Sequence, residues 1–193
     1  LSHWEVHTPI VARKERIEYF EKKNKTNPLW QEFDPVYAAE VEQVDLSVGR
    51  VLEKLNELNL EDNTVVFFTS DNGGLLDRTS NLPLRAGKGS YYEGGIRVPF
   101  CVKWPGVITP NSITDVPVTG VDMMPTFAEI SNTKLFENQI VDGRSIVPIF
   151  NNEPFYKNRN IFFHFPLYLG IGKAAILPAY DGTKKYWRAV PST

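Results

Sequence analysis

One cysteine, Cys101, stands in 193 residues, so neither an intrachain disulfide framework nor a cysteine-based zinc site can form. A single thiol leaves the redox compartment open. Neither sign of charge is in excess. Lys and Arg number 21 against 23 Asp and Glu, a formal net charge of -2, and such a balance makes no field for nucleic acid or for an anionic membrane as principal partner. Any anion must be gripped locally. No apolar run reaches the about eighteen residues of a membrane span. The opening residues, LSHWEVHTPI, lack the basic and then apolar layout of a secretory signal, and localisation is not read from them. Internal repeats and low-complexity tracts are also missing.

What is present is the composition of an ordinary globular chain, 42% hydrophobic and 23% charged, at a length that buries one core. A single domain over residues 1–193 is the expectation. Leu1–Val6 alternates loosely and predicts a short strand. Thr8-Pro9 is a helix-start signal, followed by Ile10, Ile17 and Phe20 on one stripe, with Lys22–Thr26 as a loop. Asp34-Pro35 repeats the signal. Tyr37, Val41, Val44, Val48, Val51, Leu52, Leu55 and Leu58 then recur at spacings of three and four, which predicts a helix with one buried face. TVVFFT at 64–69 and the run from Val98 to Trp104 are apolar and rich in β-branched and aromatic types, as expected of strands covered on both faces. Helix followed by apolar strand, without a tight hairpin signal, indicates an α/β layered domain with a mostly parallel central sheet flanked by helices. Further along, Val116–Val121 predicts a strand, Asp122–Ser131 a helix, Ile146–Phe150 a packed turn and Ile161–Phe165 a strand.

Between the two apolar strands lies SDNGGLLDRTSNLPLRAGKGSYYEGGIR, too long a connection to be a plain turn in a compact domain; such loops are usually functional or disordered. Its glycines allow close approach of backbone, and Asp71-Asn72 offer adjacent oxygen side chains suited to a hard divalent cation, calcium or magnesium. Lys88, between Gly87 and Gly89, supplies a point positive charge for an anionic group. His7 falls where the first predicted strand meets its helix. Ligand sites of open α/β sheets gather at such strand ends.

Each residue also has an ordinary structural use. Asp-Asn-Gly-Gly after a strand is by itself more often a turn than a metal site. A histidine before a helix commonly caps or packs, Tyr91 and Tyr92 fit as walls of the loop, Arg97 as the partner of a carboxylate, Asp45 at the wet edge of the long helix, and Cys101 as a small buried hydrophobe.

The motifs taken together decide between these uses. VHTPI at 6–10, the helix carrying Val41, Asp45 and Gly49, then NTVVFFTSDNGG, GKGSYYEGGIRVPF, VDMMPTFAEI, DGRSIVPIF and FFHFPLY follow one another in the order of the sulfatase family, within the alkaline-phosphatase-like superfamily, and the resemblance covers most of the chain. It implies the partial layered fold of that superfamily. It also implies that Asp71 and Asn72 are ligands of a divalent cation, most often Ca2+, that Lys88 contacts the sulfate, and that His7 contacts its ester side as proton donor or sulfate clamp. Hydrolysis of a sulfate ester needs positive charge on the nonbridging oxygens and a proton for the leaving alkoxide, which these types supply.

Family members also carry paired metal-binding aspartates and a Cys- or Ser-x-Pro-x-Arg segment whose first residue becomes formylglycine, the nucleophile. No such segment occurs here: Cys101 opens CVKWP, and no serine opens the pattern. The resemblance is therefore to the middle-to-late portion of a sulfatase catalytic domain, with the small carboxyl-terminal subdomain largely absent, and the expectation is that this chain alone is inactive and supplies part of a metal shell. The implied substrate is a sugar or aryl sulfate; the aromatic stretch Phe162–Tyr168 hints at a stacking surface, and His164 is as readily packing as contact. Exposed sheet edges would favour self-association. The family makes a periplasmic or secreted setting the expectation. The alternatives are a phosphodiesterase or phosphonate hydrolase of the same superfamily, and a noncatalytic sulfatase-like module.

Overall fold

The computed structural model describes residues 1–27, 33–155 and 160–163, and the backbone of 188–190. Helix α1 spans Lys14–Thr26 and α2 spans Pro35–Glu57. The rest of the order is strand β1 (Val66–Thr69), helix α3 (Glu93–Ile96), strand β2 (Phe100–Lys103), helix α4 (Met123–Ile130), helix α5 (Val147–Phe150) and strands β3 (Ile161–Phe163) and β4 (Arg188–Val190).

Helix α2 begins where its capping signal stands. The Asp34 carboxylate accepts hydrogen bonds from the amides of Val36 at 2.8 Å and Tyr37 at 3.4 Å, satisfying two of the donors that a helix start leaves open. Pro35 fills the first helical position, where no amide partner is needed. The apolar stripe is less covered than its spacing predicts: Ala39 and Glu40 are the buried residues of α2, Tyr37, Val44, Val48, Val51, Leu52 and Leu55 are half-buried, and Val41 and Leu58 face solvent. Asp45 is exposed, at the wet edge. Against α2 lies α1, joined by the Arg16 guanidinium, which takes both carboxylate oxygens of Glu42 and also covers the Tyr19 ring at 4.3 Å. Lys22–Thr26 is helical rather than a loop, since Lys23 and Lys25 in the last turn favour the negative end of the helix dipole and Thr26 Oγ1 donates back to the Lys23 carbonyl at 2.8 Å. The helix starts at Lys14 and not at Thr8-Pro9.

Strands β1 and β2 pair antiparallel, Val66 opposite Lys103 and Thr69 opposite Phe100, and β3 pairs antiparallel with β4. Every ladder among the described residues is thus antiparallel, and the mostly parallel sheet expected from the sequence is corrected. Apolar runs report that a strand is covered, not which way it points. A parallel return needs a crossover element, and the connection from β1 to β2 contains only the four residues of α3. Coverage is one-sided as well. Phe67 faces inward against Phe127 (ring centroids 5.0 Å), Phe100 and Phe150 (both 6.2 Å), while Trp104 meets Phe150 at 6.0 Å. On the opposite face Phe68 and its cross-strand partner Cys101 are exposed. Strand alternation puts Cys101 on that open side, and it is not the buried hydrophobe expected.

The segment after β2 is held by a buried carboxylate. Asp122, fully buried, accepts the amides of Thr119 at 2.8 Å and Arg144 at 3.0 Å. Thr126 Oγ1 donates to the Asp122 carbonyl at 2.6 Å and accepts the Ile146 amide at 3.0 Å, so VDMMPT and DGRSI are one unit. Residues 116–119 form no strand; a 3-10 turn at Gly120–Asp122 leads into α4, and the expected packed turn is the short helix α5. Leu1–Val6 forms no strand either, having no partner ladder among the described residues; the chain turns there, with the His7 amide donating to the Trp4 carbonyl at 3.0 Å. His164 and most of Phe162–Tyr168 lie outside the described residues.

Asp34→Ala removes the cap of α2 and should cost about 1 kcal/mol in urea-denaturation free energy, with Asp34→Asn recovering most of it; equal stability of Asp34→Ala and the unmodified protein would contradict the capping role.

Candidate active site

The loop from β1 to β2 is closed by backbone. Gly73 N–H donates to the Gly95 carbonyl at 3.0 Å, Lys88 N–H to Gly74 at 3.0 Å, and Gly94 N–H to Arg85 at 2.9 Å. Asn81 completes the seam, accepting the Gly74 amide and donating to the Gly74 carbonyl, both at 2.9 Å. Side chains would not fit here. A Cβ on Gly73 would lie 1.7 Å from the Gly94 carbonyl oxygen, and one on Gly94 would lie 1.9 Å from that of Ala86. The turn at AGKG takes Ala86 to φ 62 and Gly89 to φ 83, both in the left-handed region that glycine enters freely and alanine does not.

This seam carries three of the four expected site residues. Asp71 and Asn72 come directly before Gly73, and Lys88 follows Gly87, so the carboxylate–amide pair and the ammonium stand on two strands of loop that touch. Asp71 is exposed; Asn72 and Lys88 are half-buried. Asn72 Nδ2 donates to the Gly73 carbonyl at 3.1 Å, which commits its nitrogen and leaves its oxygen without a partner among the described residues. Lys88 makes no ion pair among the described residues, whereas its neighbours are occupied: Arg97 pairs with Glu93 at 3.1 Å and Arg85 lies 3.9 Å from the Tyr92 ring centroid.

His7 is not bonded to any of the three. Its Nδ1 is 2.9 Å from the Thr8 carbonyl oxygen and its ring meets Trp4 edge-on at 5.4 Å. A carbonyl only accepts, so this contact needs the proton on Nδ1, and Nε2 has no partner among the described residues.

Both segments are nonetheless tied to the same end of α2. Val11 N–H donates to Glu40 Oε1 at 2.9 Å, holding the histidine segment. Arg78 reaches the Asp34 carboxylate at 3.6 Å, holding the glycine loop, and Thr79 lies beside the Tyr37 hydroxyl. Burial pushes the Tyr37 hydroxyl pKa up, an effect that the Thr79 bond opposes. Asp34 to Glu40 covers about 9 Å of helix axis at 1.5 Å per residue, so the two tethers are close. Glu40 and Asn81 were not among the residues singled out from the sequence. Glu40 had a signal, an acid standing three residues after Tyr37 and four before Val44 on the apolar stripe.

Asp71 and Asn72 have the chemistry of hard-cation ligands, two adjacent oxygens, one of them uncommitted. No group of three or more His, Cys, Asp or Glu that could hold a metal occurs among the described residues, and two side chains fall short of the about six to eight oxygens that calcium takes. A solvent-open hollow of about 200 Å³ lined by Gly120, Val121, Met124, Ile140, Val141 and Asp142 lies on another part of the chain.

The fold has relatives of known structure. It superimposes on Ps i-CgsB with a TM-score of 0.74 at 38% identity, covering 84% of this chain and 35% of that one. The complex of Ps i-CgsB with k-i-k-neocarrahexaose gives a TM-score of 0.71 at 38% identity, covering 82% and 34%. These neighbours define the class, the alkaline-phosphatase-like fold of sulfatases in partial form. In sequence, the family described as Sulfatase matches residues 2–133, and that described as N-sulphoglucosamine sulphohydrolase, C-terminal, matches residues 87–186. The chain belongs to the sulfatase family. It is 41% identical over 179 residues to a sulfatase of Formosa agariphila, covering 86% of this chain and 32% of that protein. It is 33% identical over 174 residues to human steryl-sulfatase, covering 86% and 28%. The chain thus spans about a third of the length of these relatives.

Gly94→Ala forces backbone apart at the seam and should destabilise the protein by about 1–3 kcal/mol. Gly49→Ala, on α2 with nothing within 4 Å of its added methyl, should stabilise by up to about 1 kcal/mol. Thermal unfolding of the two variants reads both signs, and a neutral Gly94→Ala would contradict the close packing described.

Proposed function

We propose that the protein is a metal-dependent sulfuric-ester hydrolase to whose active site this chain contributes Asp71, Asn72, Lys88 and His7. The observation carrying this is the glycine seam, in which the Asp71-Asn72 pair and Lys88, without an ion pair among the described residues, sit on adjoining backbone within a chain of the sulfatase family. Asp71 and Asn72 would hold a divalent cation, most readily Ca2+, and the cation when bound would supply positive charge to the sulfate oxygens. Lys88 adds a second positive charge, and having no carboxylate partner among the described residues it is available to a sulfate. His7, whose Nδ1 carries the proton in its contact with the Thr8 carbonyl, would donate from Nε2 as the imidazolium, either a proton to the leaving oxygen or a hydrogen bond to the sulfate. A formylglycine nucleophile belongs to this chemistry, and since no Cys- or Ser-x-Pro-x-Arg segment occurs in these 193 residues, other residues must supply it.

The substrate class we propose is a sugar sulfate. Support comes from the neighbour at 38% identity, Ps i-CgsB, which is solved with k-i-k-neocarrahexaose bound. A relative acting on another skeleton, human steryl-sulfatase, is less similar at 33%.

The test is turnover of sugar and aryl sulfates by the full-length protein. Lys88→Ala and Asp71→Ala should each lower kcat by about 10²-fold or more, and a chelator should do the same, reversed by calcium. Undiminished turnover in both variants would remove the assignment, and faster hydrolysis of matched phosphate esters would make the protein a phosphodiesterase.

A further inference from the structure

Glu40 is a buried carboxylate with half its capacity unused. The residue is 3% exposed; Oε1 accepts the Val11 amide at 2.9 Å, and Oε2, buried, has no hydrogen-bond partner among the described residues. No arginine, lysine or histidine pairs with it among the described residues; the neighbouring cation, Arg16, is taken by Glu42. As a stabilising device this is a poor choice. Removing a carboxylate from water costs several kcal/mol unless its oxygens are satisfied, and an apolar side chain of similar shape is usually as good or better. Ala39 beside it is fully buried and apolar, so the helix face does not demand a charge.

The one thing that Glu40 does and an apolar residue would not is to fix the position of residue 11. Residues 1–13 belong to no helix or strand, and among the described residues Val11 N–H to Glu40 is the one hydrogen bond of theirs that reaches beyond the segment's near neighbours. His7 lies four residues upstream. Tyr37, one turn earlier on the same helix, and Asp34, its N-cap nearly two turns earlier, face Thr79 and Arg78 of the glycine loop.

We infer that Glu40 is a positioning residue for His7: its buried oxygen pins Val11 to α2, and so sets where the imidazole stands relative to the loop bearing Asp71, Asn72 and Lys88. This rests on the reading of His7 as part of a hydrolase site. It assigns Glu40 no contact with substrate. What matters is the acceptor oxygen, not the negative charge, so a glutamine serves and a methionine of similar size does not.

The experiment uses the full-length protein and three forms, unmodified, Glu40→Gln and Glu40→Met, each measured twice. Hydrogen exchange of the Val11 amide reads the tether, and kcat and KM on a sugar sulfate read its consequence. The unmodified protein and Glu40→Gln should protect the Val11 amide within about threefold of each other, whereas Glu40→Met should exchange it at least about tenfold faster while unfolding at the same or higher urea concentration. Turnover should follow the same order: kcat down about tenfold or more in Glu40→Met with KM within about twofold, and restored in Glu40→Gln.

Three results would overturn the inference: a Val11 amide in the unmodified protein that exchanges like an unstructured one, a Glu40→Met protein with unchanged protection and kcat, or a Glu40→Gln protein as impaired as Glu40→Met. The first needs no folded methionine variant. If the unmodified protein turns over no sulfate ester, the hydrolase reading falls, and Val11 exchange with the His7 ring-proton shift in the three forms still decides whether Glu40 holds the segment.

Discussion

Where Gly73 passes Gly94, and Gly94 in turn passes Ala86, backbone lies so close that a methyl group on either glycine has no room. The contact is made by hydrogen bonds from Gly73 to Gly95, from Lys88 to Gly74 and from Gly94 to Arg85, and it turns a connection of some thirty residues into a closed structure with one short helix. Ordering that much chain costs about 1–2 kcal/mol per residue in backbone entropy. Few apolar side chains are available there to offset it, so satisfied backbone and the Asn81 amide carry the burden. The chemical result is that Asp71-Asn72 and Lys88, more than a dozen residues apart in sequence, are presented from neighbouring backbone.

Helix α2 does the rest by being a fixed object to which loose segments are tied. Its Asp34 serves twice, as cap of its own amides and as partner of Arg78. Tyr37 meets Thr79, and Glu40 meets Val11. Phe67 gathers the rings of Phe100, Phe127 and Phe150 into a half-buried aromatic cluster, and the Asp122–Thr126 unit locks the following segment. Polar groups thus specify where segments meet, and edge-on aromatic contacts add to the cohesion.

Local signals were legible wherever the physics is local. The Asp34-Pro35 cap, the three-and-four spacing of α2, the two apolar strands and α4 all stand where the sequence puts them, because capping, helical periodicity and β-branched runs act over a few residues. Strand direction was not legible: TVVFFT and the run at 98–104 are equally apolar in either orientation, and only the absence of a crossover helix between them makes the pair antiparallel. Burial was misjudged for the same reason, since covering is a property of neighbours; Cys101 and Phe68 face out, and Val41 with them. The strand expected at Leu1–Val6 needed a partner that the local pattern could not specify. Of the site, the two motifs at Asp71 and Lys88 were readable as motifs, and their adjacency only through the spacing of glycines. Glu40 was passed over because an acid on an apolar stripe looks like an interruption until its partner, twenty-nine residues away, is seen.

The seam at Gly73, Gly94 and Lys88 is tested most directly by hydrogen exchange of those three amides under increasing denaturant. All three should be protected in the native protein and should lose protection together, as one cooperative unit. A Lys88 or Gly94 amide that exchanges at the rate of free chain while Gly73 stays protected would contradict it, for the carboxylate–amide pair and the ammonium would then belong to separately moving pieces of loop.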